Sequence, residues 1–382
     1  MSSIKTHEPE NSKDVRNKSK MNKIKLLIVG CGSIGRRHAR NAKELGAEVV
    51  LCDINKALMM NITDELSDIP CYSNYLEAGD QAGVNTAVIA TPSSTHVEIA
   101  INLAKKGIHL LVEKPLSNSL KDTAVLLQIV RERGLTAMMA QSYRFHEGFI
   151  KLKDLLINNT IGTIYHVSYH TGWYLPDWHV HEDYRVEYSA RRSLGGGVTL
   201  TNFSHSFDTL QWLFGEIDGI IGWKAKKSSL EIDVEDCAFC ILHTKRGVVI
   251  TNTSDFLCRL PRNEMKIIGS TGFIEADFSN AQHKVWRIED KRFPPGDLRM
   301  ADIPGRLRIL EDGVQYDPEP DVVPYNFAGN NRYLAEMKYF FERVEAGDVE
   351  FDLDLRSGLR VLELIMDPCF RNMDVPSASP VA

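Results

Sequence analysis

The feature that most constrains this chain is a glycine cluster set between a buried strand and a helix. Lys25-Leu26-Leu27-Ile28-Val29 is a continuous apolar run, the pattern of a parallel strand covered on both faces. It meets Gly30-Cys31-Gly32-Ser33-Ile34-Gly35, which matches G-x-G-x-x-G, and a helix pattern follows over about residues 34–45. Such glycines permit a tight turn and close approach of backbone to a pyrophosphate. The helix amino terminus then offers unpaired N–H groups to the negative charge. Residues 48–53 read as a second strand ending in Asp53, 18 residues past Gly35, where an acid accepts hydrogen bonds from an adenosine ribose. A carboxylate there repels a 2′-phosphate, so NAD is expected over NADP. Arg36 and Arg37 weaken that preference, because a nearby arginine accommodates the extra phosphate.

The alternation continues with strands at 86–90, 108–112 and 135–140, separated by helical patterns. This predicts βαβ units and an α/β, doubly wound parallel sheet over residues 23–145. Two helix starts are expected: a capping box at Thr95-His96-Val97-Glu98, and Ser119 capping the helix that carries Leu120, Ala124 and Leu127. Thr91-Pro92 to His96 and Glu113-Lys114-Pro115 both follow strand ends. In an open parallel sheet these border the same ligand crevice as the glycine turn. Pro115 biases Lys114 toward extended backbone, which would hold its ammonium at the crevice.

The second half, 146–382, has a different texture. After a helix near 147–159, β-type patterning begins at Thr163 to Tyr169. It recurs at 219–223, 237–243, 248–256, 264–268 and 273–278, which predicts an α+β unit with a largely antiparallel, open-faced sheet and helices on one side. In Cys237 to Leu242 both alternating faces are apolar, so both need cover: helices on one, a second subunit on the other. Residues 291–326 are Pro-rich and charged, either an active-site cover or an interface arm.

Composition bounds the class. A chain of 382 residues suggests two domains, and 45 basic against 51 acidic residues gives a net charge of −6, which argues against nucleic acid as partner. No apolar run is long enough to span a membrane, and the polar residues 1–22 read as a disordered tail rather than a targeting segment. Seven cysteines, a modest and odd number, suit reduced thiols and a cytoplasmic location.

Gly30 to Gly35 with His38, Ala90-Thr91-Pro92 with His96, and Glu113-Lys114-Pro115 resemble the Gfo/Idh/MocA oxidoreductases. The likeness runs over nearly all of 24–370. It takes in Tyr143-Arg144-Phe145, Gly195-Gly196-Gly197 leading to His205, Asp208 and Trp212, and a closing helix around Asp354 to Leu359. It implies a homodimer or homotetramer formed through the carboxy-terminal sheet. It also implies that His205 is the base that takes an alcohol proton, with Lys114 hydrogen-bonding the reacting oxygen. Many members carry an Asp four residues before that histidine; here it is Thr201, whose hydroxyl can orient an imidazole without stabilising its cation. A subgroup linked to surface-polysaccharide sugars looks similar at this place.

The segment 173–192 is dense in aromatics and charges, and with Tyr143, Arg144 and Asn202 it supplies the expected substrate contacts: Trp178, His179, Tyr184 and Arg185. Aromatic faces pack on sugar rings, while Arg and His bond hydroxyls or phosphates, so the expected substrate is a sugar or sugar nucleotide. The glycines at 195–197 are expected to let backbone approach the ligand. Cys237 and Cys240 point to opposite strand faces and His179 with His181 lacks further ligands, so no metal is expected. Three functions remain: an NAD-dependent sugar dehydrogenase or reductase, an NAD-dependent glycosidase that recycles its cofactor, and a non-catalytic NAD-binding regulator. Net accumulation of NADH separates the first from the second.

Overall fold

The computed structural model describes residues 24–178, 182–287, 320–326, 329 and 331–372; the expected tail at 1–22, His179 and most of the 291–326 segment lie outside them. The first unit runs β1 (Lys25–Val29), α1 (Ser33–Glu44), β2 (Glu48–Cys52), α2 (Lys56–Leu66), β3 (Cys71–Tyr72), α3 (Tyr75–Gln81), β4 (Thr86–Ile89), α4 (His96–Lys105), β5 (His109–Glu113), α5 (Thr123–Glu132) and β6 (Ala137–Ala140). Its six strands are all parallel in the order β3-β2-β1-β4-β5-β6. The order reverses between β1 and β4, and such a switch point opens a ligand crevice at the strand ends. Side chains alternate across β1, so Leu27 joins the core under α3, α4 and α5, while Leu26 and Ile28 join the core under α1 and α2. That is why the run reads as continuously apolar.

Neither expected cap forms. The Thr95 hydroxyl is 2.7 Å from that of Thr91 and donates to the Pro92 carbonyl, so it braces a loop in a 3₁₀ turn (Ser93–Thr95) instead of capping α4. Ser119 stands clear of α5, which begins at Thr123 behind Asp122 in the left-handed region, with φ 59°.

The second unit adds α6 (Glu147–Ile157), β7 (Ile164–Gly172), a π turn (Thr199–Phe203), α7 (Ser204–Phe214), β8 (Ile217–Ala225), β9 (Cys237–Thr244), β10 (Val249–Asp255), β11 (Arg262–Gly269), β12 (Gly272–Asp277), β13 (Gln282–Arg287), β14 (Asp321–Pro324), α8 (Asn331–Ala346), α9 (Leu355–Ile365) and β15 (Phe370–Asn372). The end of the Pro-rich segment is therefore a strand, paired with β13. The nine strands lie in the order β14-β13-β12-β11-β7-β10-β9-β8-β15 and are antiparallel except for β7–β10 and β8–β15. Helices α6, α7 and α9 cover one face, with Phe149, Phe207 and Leu362 packed on Val167, Leu242 and Ile250. The opposite face is open and apolar: Ile221, Trp223, Ile241, Val249 and Ile268 are each more than a third exposed.

Helix α8 returns to the first unit. Its Met337, Phe340 and Phe341 join the core with Leu26, Ile28 and Ala39, and Leu353 accepts a backbone hydrogen bond from Met139 at 2.9 Å. No helix of the described residues is long and apolar enough to cross a membrane.

A buried ion pair clamps the junction. Arg144 donates to both carboxylate oxygens of Asp208 on α7, at 2.8 and 2.7 Å, and to Asp352 at 3.2 Å. Removing one partner leaves the other charged and buried. Asp208→Ala is therefore expected to lower unfolding free energy by about 3–5 kcal/mol, read from the denaturant midpoint. Replacing both with Arg144→Met and Asp208→Leu should recover most of it.

Candidate functional site

Two cavities meet at the strand ends of the first unit. The one of about 470 Å³ is lined by Gly32, Ser33 and Ile34 of the glycine turn, the loop Thr91-Pro92-Ser93 with His96, and Glu113 and Lys114 at the end of β5. The other, about 350 Å³, lies against the second unit and is lined by Tyr143, Trp178, Asn202, Arg262 and Arg332 among others. Lys114 and His205 line both. A group bound in one cavity thus meets a group bound in the other beside these two side chains.

The glycine turn is built for close approach. Gly30 takes φ +94°, and a Cβ on Gly35 would lie 1.9 Å from the Gly30 carbonyl oxygen, so neither tolerates a side chain. At Gly32 a Cβ would meet nothing within 4 Å, and the empty space is the cavity itself. That cradle, at the amino terminus of α1, fits a pyrophosphate. Asp53 closes the turn from the end of β2: it accepts from the Cys31 and Asn55 amides, each at 2.7 Å.

The floor of the first cavity is pinned by buried polar contacts. His96 bridges the carbonyls of Thr91 and Pro115, at 2.7 and 2.9 Å. Burial holds its pKa below the ordinary value. Glu113 meets His38 at 2.8 Å; burial opposes its charge, but the His38 contact together with the charges of Lys114 and His96 outweighs this and holds its pKa below the ordinary carboxylate value. The Lys114–Pro115 bond is cis, and the Lys114 ammonium donates to the Thr201 carbonyl at 3.1 Å. Burial opposes that charge too, but the surrounding acidic groups, Tyr188 and Glu113 foremost, hold its pKa above the ordinary lysine value.

His205 stacks on Tyr143 with ring centroids 4.5 Å apart. Burial first, then the positive charges of Lys114 and Arg332, push its pKa well below the ordinary 6.5. Thr201 does not orient it: its hydroxyl donates to the Gly197 carbonyl at 2.7 Å, one turn back. His205 Nδ1 is buried with no hydrogen-bond partner among the described residues.

Several expected substrate contacts lie elsewhere. Arg144 is held by Asp208 and Asp352, Arg185 is exposed and paired with Asp183, and the Tyr184 hydroxyl takes the Glu231 amide; none lines either cavity. Trp178 and Asn202 do line the second cavity, while Glu182, Glu187 and Tyr188 of the same aromatic segment line the first. The 195–197 glycines serve packing: a Cβ on Gly195 would meet the Ser93 hydroxyl at 1.9 Å, and one on Gly197 the Glu235 carboxylate at 2.4 Å. Arg262, Arg332, Tyr333 and Glu336 carry no local sequence signal, yet all four line the cavities. Among the described residues lining the second cavity are three cations, Lys114, Arg262 and Arg332, and no carboxylate.

Comparison with known proteins agrees with this architecture. Residues 24–141 match the family described as "Oxidoreductase family, NAD-binding Rossmann fold", and 149–275 match the GFO/IDH/MocA C-terminal domain. The chain belongs to the Gfo/Idh/MocA oxidoreductase family. Among relatives, it is 23% identical over 337 residues to the myo-inositol 2-dehydrogenase of Thermotoga maritima, covering 85% of this chain and 89% of that one. It is 26% identical to the scyllo-inositol 2-dehydrogenase (NAD(+)) of Bacillus subtilis, over 71% of this chain and 85% of that one. Among solved structures, the WlbA dehydrogenase of Bordetella pertussis, in complex with NADH and UDP-GlcNAcA, superposes with a TM-score of 0.69 at 21% identity, covering 90% and 94% of the two chains. A levoglucosan dehydrogenase in complex with NADH and levoglucosan gives 0.72 at 17%, over 90% and 95%.

The two glycines separate folding from ligand binding. Gly32→Ala should leave the melting temperature unchanged while weakening NADH binding at least about tenfold, measured by fluorescence titration. Gly35→Ala should lower the melting temperature itself.

Proposed function

We propose that this protein is an NAD-dependent dehydrogenase of a sugar or sugar nucleotide, moving a hydride between nicotinamide C4 and a carbinol carbon. The observation that carries this reading is the confluence of the two cavities at Lys114 and His205. A nicotinamide dinucleotide bound in the larger cavity would be held by Gly32, Ser33, Thr91 and Glu113, and supplies the hydride acceptor. His205, kept neutral by burial and neighbouring cations, takes the hydroxyl proton as the substrate C–H bond breaks. Its Nδ1 is sealed off, which leaves Nε2 for that exchange. Lys114 Nζ donates a hydrogen bond to the reacting oxygen and stabilises the negative charge that develops there. In the reverse direction His205 returns the proton to that oxygen. Three cations and no carboxylate among the described residues of the second cavity favour a sugar carrying negative charge, on a carboxylate or a nucleotide diphosphate.

The surroundings of Asp53 support NAD over NADP. Arg36 is bound to Glu65 at 2.9 and 3.0 Å, and Arg37 lies 4.4 Å over the Tyr333 ring, so neither guanidinium is free for a 2′-phosphate. All seven cysteines are free, which fits a reducing compartment such as the cytoplasm. The open apolar face of the large sheet is the surface through which two or four copies would associate.

The function is tested by offering free sugars, uronates and nucleotide sugars with each cofactor. Net accumulation of NADH is expected, with kcat lowered about 10²–10⁴-fold in His205→Ala and in Lys114→Met; unchanged turnover in either variant removes that residue from the chemistry. Because oxidation needs neutral His205, kcat/KM should hold constant from neutrality down past pH 6.5 and fall only below it. A carboxylate beside the imidazole favours its cation, so Thr201→Asp should move that fall to higher pH. Light scattering should give a multiple of the chain mass, and a monomer at micromolar concentration would refute association through the sheet.

A further inference from the structure

The second cavity holds one cation whose charge the fold leaves unanswered. Of its three, Lys114 donates to the Thr201 carbonyl at 3.1 Å and Arg262 reaches the Glu264 carboxylate at 3.4 Å. Arg332, in the first turn of α8, meets no carboxylate and no carbonyl among the described residues; its one hydrogen bond there runs from Nη2 to the Tyr333 hydroxyl at 3.0 Å. Its Nε is sealed in without a partner, but Nη1 is neither sealed nor bonded, and the side chain lines the cavity wall. Two rings hold the guanidinium instead: its carbon lies 4.7 Å from the Tyr333 centroid and 5.3 Å from that of Tyr143. Such contacts fix the position of a cation without cancelling its charge. An arginine does not shed its proton, so this partly buried one keeps a charge that something must meet.

We propose that Arg332 reads a carboxylate on the same sugar ring that Lys114 and His205 act on, so that the substrate is a sugar acid, free or nucleotide-linked. The proposal rests on the dehydrogenase reading of this site. Two observations favour a carboxylate at Arg332. The first is distance. The Tyr143 ring is a common neighbour, 4.5 Å from the His205 centroid and 5.3 Å from the guanidinium carbon. A single sugar ring therefore bridges the two, with its carbinol at the imidazole and its acid at the guanidinium. The second is the way out. A diphosphate leads on to a nucleoside and must leave through the open side of the cavity, whereas a carboxylate is an end and stops inside. Trp173 and the Arg262 side chain, 48% and 54% exposed, mark that open side. Nη1 and the second hydrogen of Nη2 remain to donate to the carboxylate oxygens. A hydroxymethyl group in the same place would leave the charge unmet.

The test is binding, with the protein loaded with NADH. Calorimetric titrations would compare two pairs: UDP-glucuronate with UDP-glucose, and D-glucuronate with D-glucose. Within each pair the only difference is carboxylate against hydroxymethyl, so the diphosphate of the first pair cancels. In the pair that binds, wild type should hold the acid about thirtyfold or more tighter, as expected for a charge-assisted pair set against an unmet charge. Arg332→Gln should bind both members within about threefold, and Arg332→Lys should keep part of the preference. Arg262→Gln should keep the preference whole. Equal affinity of wild type for acid and neutral sugar, or binding of none of the four, overturns the proposal, and neither result needs a variant to fold. So does a preference that survives in Arg332→Gln, or one that is lost in Arg262→Gln instead. An equal loss of acid and neutral sugar in Arg332→Gln reduces the arginine to a prop for Tyr143 and overturns it too. Failure of the dehydrogenase reading is a separate result: the acid would be preferred, which supports the carboxylate site, yet no NADH would form from it and NAD.

Discussion

The site depends on one contact between the two units: the buried Lys114 ammonium against the Thr201 carbonyl. An ammonium taken out of water must be satisfied by its surroundings. Here the first unit supplies the charge and the second supplies the oxygen that keeps it. That oxygen lies in the π turn of residues 199–203 and also accepts from the Ser204 hydroxyl at 3.1 Å. Around this contact the seam is drawn tight by Gly195 against Ser93 and by Arg144 against Asp208. The lysine is thus fixed at the mouth between cavities instead of sweeping through solvent as most lysines do.

Electrostatics divides the labour among groups only a few side chains apart. Glu113 and Glu336 share one cavity, yet their acidities are driven apart: His38, Lys114 and His96 together outweigh burial and draw Glu113 below the ordinary carboxylate range, while burial and the charge of Glu113 push Glu336 above it. Lys114 stays charged, and together with Arg332 it keeps His205 neutral. Environments that drive like groups apart in acidity are how a single pocket provides both donors and acceptors at one pH. Had an acid stood at Thr201, the imidazole would have been drawn toward its cation. The hydroxyl found there bonds Gly197 and leaves the histidine to burial and the two neighbouring cations.

Legibility in the sequence followed the range of the interaction. The buried strands, the glycine turn with Asp53, and the strand-end placement of Thr91, His96, Glu113 and Lys114 are local patterns, and all were readable from spacing and periodicity. Trp178, which lines the second cavity, stood out by residue type in the aromatic segment 173–192. Arg144 was misread because a lone arginine suits a ligand or an ion pair equally, and its deciding partner lies 64 residues away. Thr95 and Ser119 carried good capping signals, but a tertiary loop claimed the first and a later helix start stranded the second. Arg332, Tyr333 and Glu336 were invisible for a different reason. They sit in an ordinary amphipathic helix, and nothing within its own turns says that it will be folded back across a cavity begun three hundred residues earlier.

That fold-back bears on the order in which the molecule can be made. A nascent chain emerges amino end first, and its six-stranded sheet would be complete by Ala140 with the flank occupied by Met337, Phe340 and Phe341 still bare. Until α8 is synthesised, an oily strip beside α1 faces water, and the wall bearing Glu336 does not exist. The dinucleotide-binding half is consequently no free-standing module that happens to precede another domain. It gains that cover only once the helix Asn331–Ala346 has left the ribosome.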